Sequence, residues 1–241
     1  MATDVHAAAD FYATARGAVA ARLLRERVSA LWPSVAGRDV LGLGYAVPYL
    51  RLWRERQGAE QAARLIAAVP AQLGVARWPA GAPNLTCTVE EEALPFADLS
   101  FDRIILVHGL EGAEHSRRML REVWRVLRED GLLLVIAPNR AGLWAHLEAT
   151  PFGHGQPYSP GQIGRLLADS MFRVERRDTA LYLPPTQIRL MLRSAPLWER
   201  TGRRLVPRLA GVTITEAVKD VYAAMPLRKA PARRLVLSEA A

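Results

Sequence analysis

The chain has 241 residues and is 50% hydrophobic, which is enough for one substantial core. Its single cysteine, Cys87, excludes an intramolecular disulfide framework and a cysteine-cluster metal site. The formal net charge is +8, and the segment 189–234 carries an excess of basic residues of the same size. No apolar run is long enough to span a membrane and the first residues lack a secretory signal pattern, so we expect a cytoplasmic protein.

Helices and strands are predicted to alternate along the first half of the chain. A long amphipathic helix is expected over 11–31, ended by Trp32 and Pro33. The strands that follow are predicted at 39–43, 63–69, 84–89, 104–107 and 132–136. A helix from 47 to about Gln57 follows the first strand, and the connection 70–83 is partly irregular. A helix containing Met119 and Val123 is expected to end in the turn 129–131.

The second half begins with a lid-like loop, 140–160, in which 150–160 is dense in Pro, Gly and aromatic residues. Ser159 is expected to cap a helix that has Pro160 at its first position and runs to Asp169. A strand at 172–183, a helix over 186–205 interrupted at Pro196, and a last strand at 212–222 complete the prediction. We therefore expect a single domain over 1–222, with its N-terminal helix in 1–33, and a mobile basic tail over 223–241.

The segment 90–139 is the most informative part of the chain. It contains two short buried strands separated by an amphipathic helix, which predicts a right-handed parallel crossover. In such sheets ligands bind beyond the carboxyl ends of the strands. The loops that follow the strands are therefore where we look for functional residues.

Several short motifs in this segment occur together in a fixed order. They are LPF at 94–96, SFD at 100–102, HGLE at 108–111, LREVWRVL at 120–127 and DGLL at 130–133. In this order they resemble class I S-adenosylmethionine-dependent methyltransferases, particularly the methyltransferase type 11 group. The resemblance implies an α/β, Rossmann-like fold: a mostly parallel seven-stranded sheet with helices on both faces and an antiparallel last strand. It also implies S-adenosylmethionine as the cofactor.

The resemblance places the amino-acid end of the cofactor on a glycine-rich turn after the first strand. Here Gly42 stands where the family has an acidic residue, and Ala46 and Pro48 stand where it has glycines. Only Gly44 matches. By this alignment Gly42, Gly44, Tyr45 and Ala46 are the cofactor-binding residues of the turn.

The positions that would hold the adenosine are changed in part. Val69 stands where the second strand of the family ends in the acid that binds the ribose hydroxyls, and valine cannot accept those hydrogen bonds. Gln72 is a nearby substitute. Glu90 corresponds to the residue that faces the adenine amino group, and Glu91 or Glu92 can take this role by a small shift in register. A solvated acidic turn is the alternative interpretation.

Two histidines are the candidate catalytic residues. His108 follows the fourth strand, where the family places residues that line cofactor or substrate, so it is a candidate base and cofactor contact. A packing histidine is the alternative. His154 lies between two glycines of the lid-like loop and is a candidate substrate contact. Tyr12, Tyr158 and Asn139 are weaker candidates, and no histidine pair has metal-ligand spacing.

Three functions remain open at this point. The first is methyl transfer to a small-molecule O, N or C nucleophile. The second is a catalytically inactive scaffold or regulatory partner, which the residues Gly42, Pro48 and Val69 suggest. The third is methylation of RNA or protein, because the basic segment 189–234 can meet nucleic acid, anionic lipid or an acidic protein. A solvated arginine face is the plainer reading of that segment.

Overall fold

The computed structural model describes residues 5–55, 61–71 and 77–220. Seven strands of this part form one sheet in the order β3-β2-β1-β4-β5-β7-β6. The strands are β1 Asp39–Gly44, β2 Arg64–Pro70, β3 Thr86–Val89, β4 Phe101–Val107, β5 Leu127–Pro138, β6 Phe172–Ala180 and β7 Val212–Lys219. The neighbouring strands from β3 to β5 pair in parallel, and β7 lies antiparallel between β5 and β6. The predicted sheet, including its antiparallel last strand, is confirmed.

Helices cover both faces of the sheet. They are α1 Val5–Ala13, α2 Ala15–Leu31, α3 Val47–Arg54, α4 Ser116–Val126, α5 Pro160–Asp169, α6 Arg189–Arg193 and α7 Ala195–Leu205. One core cluster forms where α1, α2 and α3 pack on the sheet, with Trp53 and Leu24 fully buried. The other forms under α4 and α5, around Met119 and Ile163. Because both faces of the sheet are buried, the inner strands are continuous apolar runs in the sequence.

The predicted helix over 11–31 is wrong in one respect, because it is two helices. Thr14 separates α1 from α2 and caps α2, since its Oγ1 accepts a hydrogen bond from the Gly17 N–H at 3.0 Å. A Cβ at Gly17 would lie 2.0 Å from the Phe11 carbonyl oxygen, so the chain folds back closely at this break. The stop at Trp32 is confirmed, and the indole N–H of Trp32 donates to Glu216.

Other boundaries differ by a turn or less. Helix α4 ends at Val126 instead of at 129–131, because Leu127 already pairs with Phe101 and begins β5. The break in the last helical segment falls at Ser194, and Pro196 occupies the first turn of α7. Helix α5 has its predicted bounds, and Ser159 and Gln162 form a capping box at its start.

The three other predicted ends are those of α3, β6 and the last strand. Helix α3 ends at Arg54, and β6 ends at Ala180 instead of 183. The last strand ends at Lys219. The predicted ends at Gln57 and at 222, the proposed ribose contact Gln72 and the tail 223–241 lie outside the described residues.

The motifs that carry the resemblance hold the loop before β4 in place. The guanidinium of Arg125 donates to the carbonyl oxygens of Leu94 and Phe96 and to the carboxylate of Glu122. Glu122 in turn accepts from the Leu94 N–H at 2.9 Å. The matching residues at 94–96 and 120–127 therefore serve the fold directly and do not themselves define a site.

Asp102, the last residue of the SFD motif, should make the stability of the protein depend on acid pH. Its side chain is 5% exposed and accepts from the Asp39 N–H at 2.8 Å, and Arg128 lies 2.7 Å away. Burial alone would raise the pKa of Asp102, but these hydrogen bonds outweigh burial and lower it below its ordinary value of 3.8. Because the folded-state pKa is lowered, this stabilisation is complete above the ordinary value and is lost as pH falls through the folded value.

Urea unfolding of the wild type and of Asp102→Asn across that acid range tests this expectation. The substitution should lower the free energy of unfolding at neutral pH, and the difference should shrink as pH falls below the ordinary pKa. Asp169→Asn is the matched control, because Asp169 pairs with Arg117 at an exposed position. A difference between wild type and Asp102→Asn that stays constant with pH would contradict the assignment.

Candidate functional site

The winding of the sheet reverses between β1 and β4, which places the candidate site beyond the carboxyl ends of these two strands. The turn after β1 closes onto β4, because the Tyr45 N–H donates to the Val107 carbonyl at 2.7 Å. Gly44 has φ +80°, and a Cβ there would lie 2.2 Å from the Val107 oxygen. Glycine is therefore required at 44 by this close approach of two backbones.

Gly42 has a different explanation from the one that the alignment suggests. A Cβ at this position would lie 2.7 Å from Cβ of Ala46 and 2.8 Å from Cδ1 of Leu50. Helix α3 thus packs directly onto the strand, and there is no room for the acidic side chain of the family. Gly42 and Ala46 are packing residues in this structure, and their predicted role as cofactor contacts remains a prediction.

A hydrogen-bonded chain of four side chains, of which Tyr12 is half-buried and the other three are buried, lies at this crevice. The carboxylate of Glu111 is 3.1 Å from Nδ1 of His108, and Nε2 of His108 is 2.8 Å from the hydroxyl of Tyr12. The hydroxyl of Tyr12 is also 2.8 Å from that of Tyr49. The chain joins residues from α1, α3 and the loop after β4. Sequence analysis proposed His108 and Tyr12 separately and missed both Glu111 and Tyr49 as their partners.

The direction of these hydrogen bonds follows from the chemistry of the groups. An ionised Glu111 only accepts, so Nδ1 of His108 donates to it and Nε2 is left as an acceptor for the Tyr12 hydroxyl. The Tyr12 oxygen then accepts from Tyr49. Burial and the neighbouring Tyr49 raise the pKa of Tyr12 well above its ordinary value, and burial likewise raises the pKa of Tyr49. Both phenols therefore stay protonated at neutral pH.

Aromatic rings pack around this chain. The ring of Tyr45 stacks on that of Tyr12 with centroids 5.4 Å apart and an angle of 13°. On the other side the ring of Phe152 lies 4.6 Å from that of His108. We call Tyr12, Tyr45, Tyr49, His108 and Phe152 the aromatic cluster. It lies directly beyond β1 and β4.

His108 has an unusual backbone conformation as well as buried partners. Its φ is +52°, in the left-handed region that non-glycine residues seldom adopt. Strain of this kind costs of order 1–3 kcal/mol and is retained where the surroundings require it. The carboxylate atom Oε2 of Glu111 is buried and has no hydrogen-bond partner among the described residues. These features favour a functional role for His108 over the role of an ordinary packing histidine.

The lid-like segment is fastened next to the cluster. The Gln156 N–H donates to the carbonyl of Glu111 at 2.8 Å, and the hydroxyl of Tyr158 donates to the carbonyl of Leu110 at 3.3 Å. His154 is half-buried in this segment, two residues beyond Phe152. Its role as a substrate contact remains a prediction. Tyr158 instead holds the segment to the loop after β4.

The adenosine side of the site is only partly defined. Val69 is buried at the carboxyl end of β2, and Glu90 is exposed immediately after β3. Burial and the neighbouring Glu92 raise the pKa of Glu91. Glu92 is paired with His115, at 2.8 Å between Oε1 and Nδ1. Among the three acids, Glu90 and Glu91 thus remain the candidates for an adenine contact.

Two other residues have structural roles. Asn139 is 2% exposed, and its side-chain amide donates to the carbonyls of Arg208 and Ala210. It therefore ties the end of β5 to the chain before β7 and does not point to the crevice. His115 precedes α4 and is held by its pair with Glu92.

One cavity adjoins the crevice, and another lies far from it. One of about 370 Å³ lies between α1, α2 and α3, beside Tyr12, Tyr45, Arg25 and Arg51. A larger one of about 620 Å³ lies at the first residues of β2 and β3, which is the opposite edge of the sheet from the candidate site. Of these two cavities, the smaller one adjoins the aromatic cluster.

Comparison with known proteins defines the class. Residues 37–135 match the family model described as a methyltransferase domain. A methyltransferase structure from Mesorhizobium loti covers 87% of this chain with a TM-score of 0.57 at 14% identity, and this chain covers all of it. The fold is that of class I S-adenosylmethionine-dependent methyltransferases, and the segment 37–135 is similar in sequence to a methyltransferase domain. The resemblance read from the sequence is thereby confirmed.

Curated relatives match over a shorter stretch. An uncharacterized protein of Mycobacterium tuberculosis is 32% identical over 111 residues, which are 43% of this chain and 39% of the relative. The demethylmenaquinone methyltransferase of Deinococcus radiodurans is 34% identical over 105 residues, 42% of each protein. The match spans about two-fifths of the length of these relatives.

The residues of this site can be tested against S-adenosylmethionine, the cofactor that the family implies. Its amino-acid end would lie beyond β1 and β4, where the aromatic cluster occupies the crevice. At position 42, Ala46 and Leu50 pack so closely that there is no room for the acidic side chain of the family. The amino-acid end of the cofactor therefore does not fit the side chains as they are arranged.

Within 5–55, 61–71 and 77–220, none of the helices has the length and apolar character of a membrane span.

Proposed function

We propose that this protein transfers a methyl group from S-adenosylmethionine to a small-molecule acceptor, and that Tyr12 must leave the crevice before the amino-acid end of the cofactor can enter. The match of residues 37–135 to the methyltransferase domain carries the proposal. The position of the crevice, at the point where the winding of the sheet reverses, agrees with it.

The movement of Tyr12 is supported by how it is attached. Tyr12 lies one residue before the end of α1, and Thr14 alone separates this helix from α2. A change of backbone angles at a single connecting residue can therefore turn α1 without disturbing α2. Such gating by a short element is common in enzymes that must exclude water from the reacting groups.

His108 is the residue that gains a new role when Tyr12 leaves. Nε2 of His108 then loses its hydrogen bond from Tyr12 and becomes free to accept a proton, while Glu111 still holds Nδ1. A base at this atom suits an acceptor that must lose a proton to become a nucleophile. The ring of Phe152, which packs on His108 and has Trp144 and Phe11 behind it, favours an aromatic acceptor.

A second function, that of a scaffold or regulatory partner without cofactor, is favoured by one observation. The aromatic cluster occupies the crevice, and an unbroken chain of hydrogen bonds runs through it from Glu111 to Tyr49. If the cluster never opens, the fold is retained without the chemistry of the family.

One experiment separates the two functions. The purified protein is incubated with S-adenosylmethionine labelled on its methyl group and with the small-molecule fraction of a cell extract. Methyl transfer predicts label in the small-molecule fraction with wild type and a loss of at least about a hundredfold with His108→Asn. Absence of S-adenosylhomocysteine binding at millimolar ligand, by both the wild type and Tyr12→Ala, would contradict methyl transfer and leave the scaffold.

A further inference from the structure

Large apolar side chains are exposed on one segment near the end of the described chain. Nine large hydrophobic residues are exposed in the described part, and seven of them fall within 188–209. These seven are Ile188, Leu190, Leu197, Trp198, Leu205, Val206 and Leu209, with exposed fractions from 39% to 76%. Exposed apolar residues scattered singly are ordinary, but a group of this kind indicates an interaction surface.

The packing of α7 explains why these side chains face outward. Ala195, Glu199 and Gly202 form its buried face. A Cβ at Gly202 would lie 2.5 Å from the side chain of Tyr182, so the helix rests closely on this ring. Glu199 accepts a hydrogen bond from the Tyr182 N–H at 2.7 Å. With this face fixed to the body of the protein, the opposite face is held toward solvent.

The charges on the same segment have one sign. Exposed arginines stand between the apolar residues, at Arg189, Arg193, Arg200, Arg204 and Arg208. Glu199 is the only acidic residue between 186 and 211, and it is buried, with its pKa raised by burial. We call the exposed side chains of 188–209 the docking surface. Its apolar groups are aliphatic side chains and one indole, and its charges are all positive.

This combination fits the interface of an anionic bilayer better than other partners. Leu, Ile and Trp side chains gain free energy at the boundary of headgroups and acyl chains, while arginines reach the lipid phosphates. RNA would use the arginines but would leave the exposed aliphatic side chains in water. A second copy of the chain would bring two sets of arginines together, which is unfavourable.

We propose that the docking surface binds the protein peripherally to membranes that contain anionic lipid. Its place in the fold adds a consequence that rests on the proposed function. The segment follows β6, whose carboxyl end lies at the same edge of the sheet as those of β1 and β4. The guanidinium of Arg16 also joins the carbonyls of Ala149 and Pro185 across this edge. A docked protein would therefore hold its crevice near the bilayer.

The test is co-sedimentation of the full chain with phosphatidylcholine vesicles, with and without about one-third phosphatidylglycerol. We expect binding to the anionic vesicles at least about fivefold stronger than to the neutral ones. Arg200→Gln with Arg204→Gln should remove most of this preference. Leu197→Ser with Leu205→Ser should weaken binding at least about tenfold, since both side chains would otherwise enter the interface.

Matched controls lie on other surfaces. Leu99→Ser changes an exposed leucine and Arg117→Gln an exposed arginine, and both should bind vesicles like wild type. Circular dichroism shows whether each variant is folded. Absence of binding by wild type, or equal binding by the folded Leu197 and Leu205 variant, would overturn the proposal. So would a dimer in sedimentation equilibrium that the same substitutions dissociate, because the surface would then belong to a second copy.

Discussion

Replacing Tyr12 by alanine is expected to raise the affinity for S-adenosylhomocysteine at least about tenfold, or about 1.4 kcal/mol. The substitution removes the ring that stacks on Tyr45 and the hydroxyl that joins His108 to Tyr49. The wild type has to break these contacts before the amino-acid end of the ligand can enter, and the variant does not. Isothermal titration calorimetry of both proteins measures the difference.

Tyr12→Phe is the matched control for this prediction. It keeps the ring in the crevice and removes only the hydroxyl, so the affinity should stay within about threefold of wild type. If alanine and phenylalanine strengthen binding equally, the hydrogen bonds and not the volume of the ring restrict the site. Equal affinities of wild type and Tyr12→Ala, with both proteins folded, would contradict the prediction.

Replacing Arg176 by alanine is expected to lower the free energy of unfolding by about 2 kcal/mol. Arg176 makes two hydrogen bonds to the carboxylate of Glu216, of 2.6 and 2.7 Å, and one to the carbonyl of Leu31 at 2.8 Å. Glu216 is 3% exposed, and without Arg176 the indole N–H of Trp32 is the one hydrogen-bond donor that its carboxylate keeps among the described residues. Because the arginine side chain is 48% exposed, the expected loss in the free energy of unfolding is smaller than the full cost of an unpaired buried ion.

Arg173→Ala provides the comparison on the same strand. Arg173 is 64% exposed and pairs with Glu175 near the surface, so its loss should change stability by less than about 0.5 kcal/mol. Urea unfolding followed by circular dichroism measures both variants. A loss with Arg176→Ala no larger than that with Arg173→Ala would show that the Glu216 carboxylate is stable without its partner.

Much of the fold could be predicted because its signals are local. The apolar runs of β1, β4 and β5 and the spacing of α4 are properties of a few neighbouring residues. The cap at Ser159 was also predicted from neighbouring residues, and α5 has its predicted bounds. The antiparallel direction of the last strand, β7, was expected from the family resemblance, since no local pattern sets how strands pair.

The candidate site could be predicted only in outline. His108 was identified from its position after a strand, but its partner Tyr12 lies 96 residues away in sequence, and Tyr49, the partner of Tyr12, lies 37 residues from Tyr12. Contacts at such separations depend on how helices pack, which the spacing of residues does not reveal. Glu111, three residues after His108, offered the one local signal.

The loss of the family's acid illustrates the same limit. Alignment showed that Gly42 stands in its place. It could not show that Ala46 and Leu50 occupy the space that the acid would need. The glycine at position 42 and the close packing of α3 on β1 therefore belong together.

A crystal structure of the wild type with S-adenosylhomocysteine would test most directly whether Tyr12 controls access to the crevice. We expect bound ligand with its amino-acid end beyond β1 and β4, and a separation between the Tyr12 hydroxyl and Nε2 of His108 well beyond about 3.2 Å. The ligand bound in that position while this hydrogen bond stays at its present 2.8 Å would contradict it.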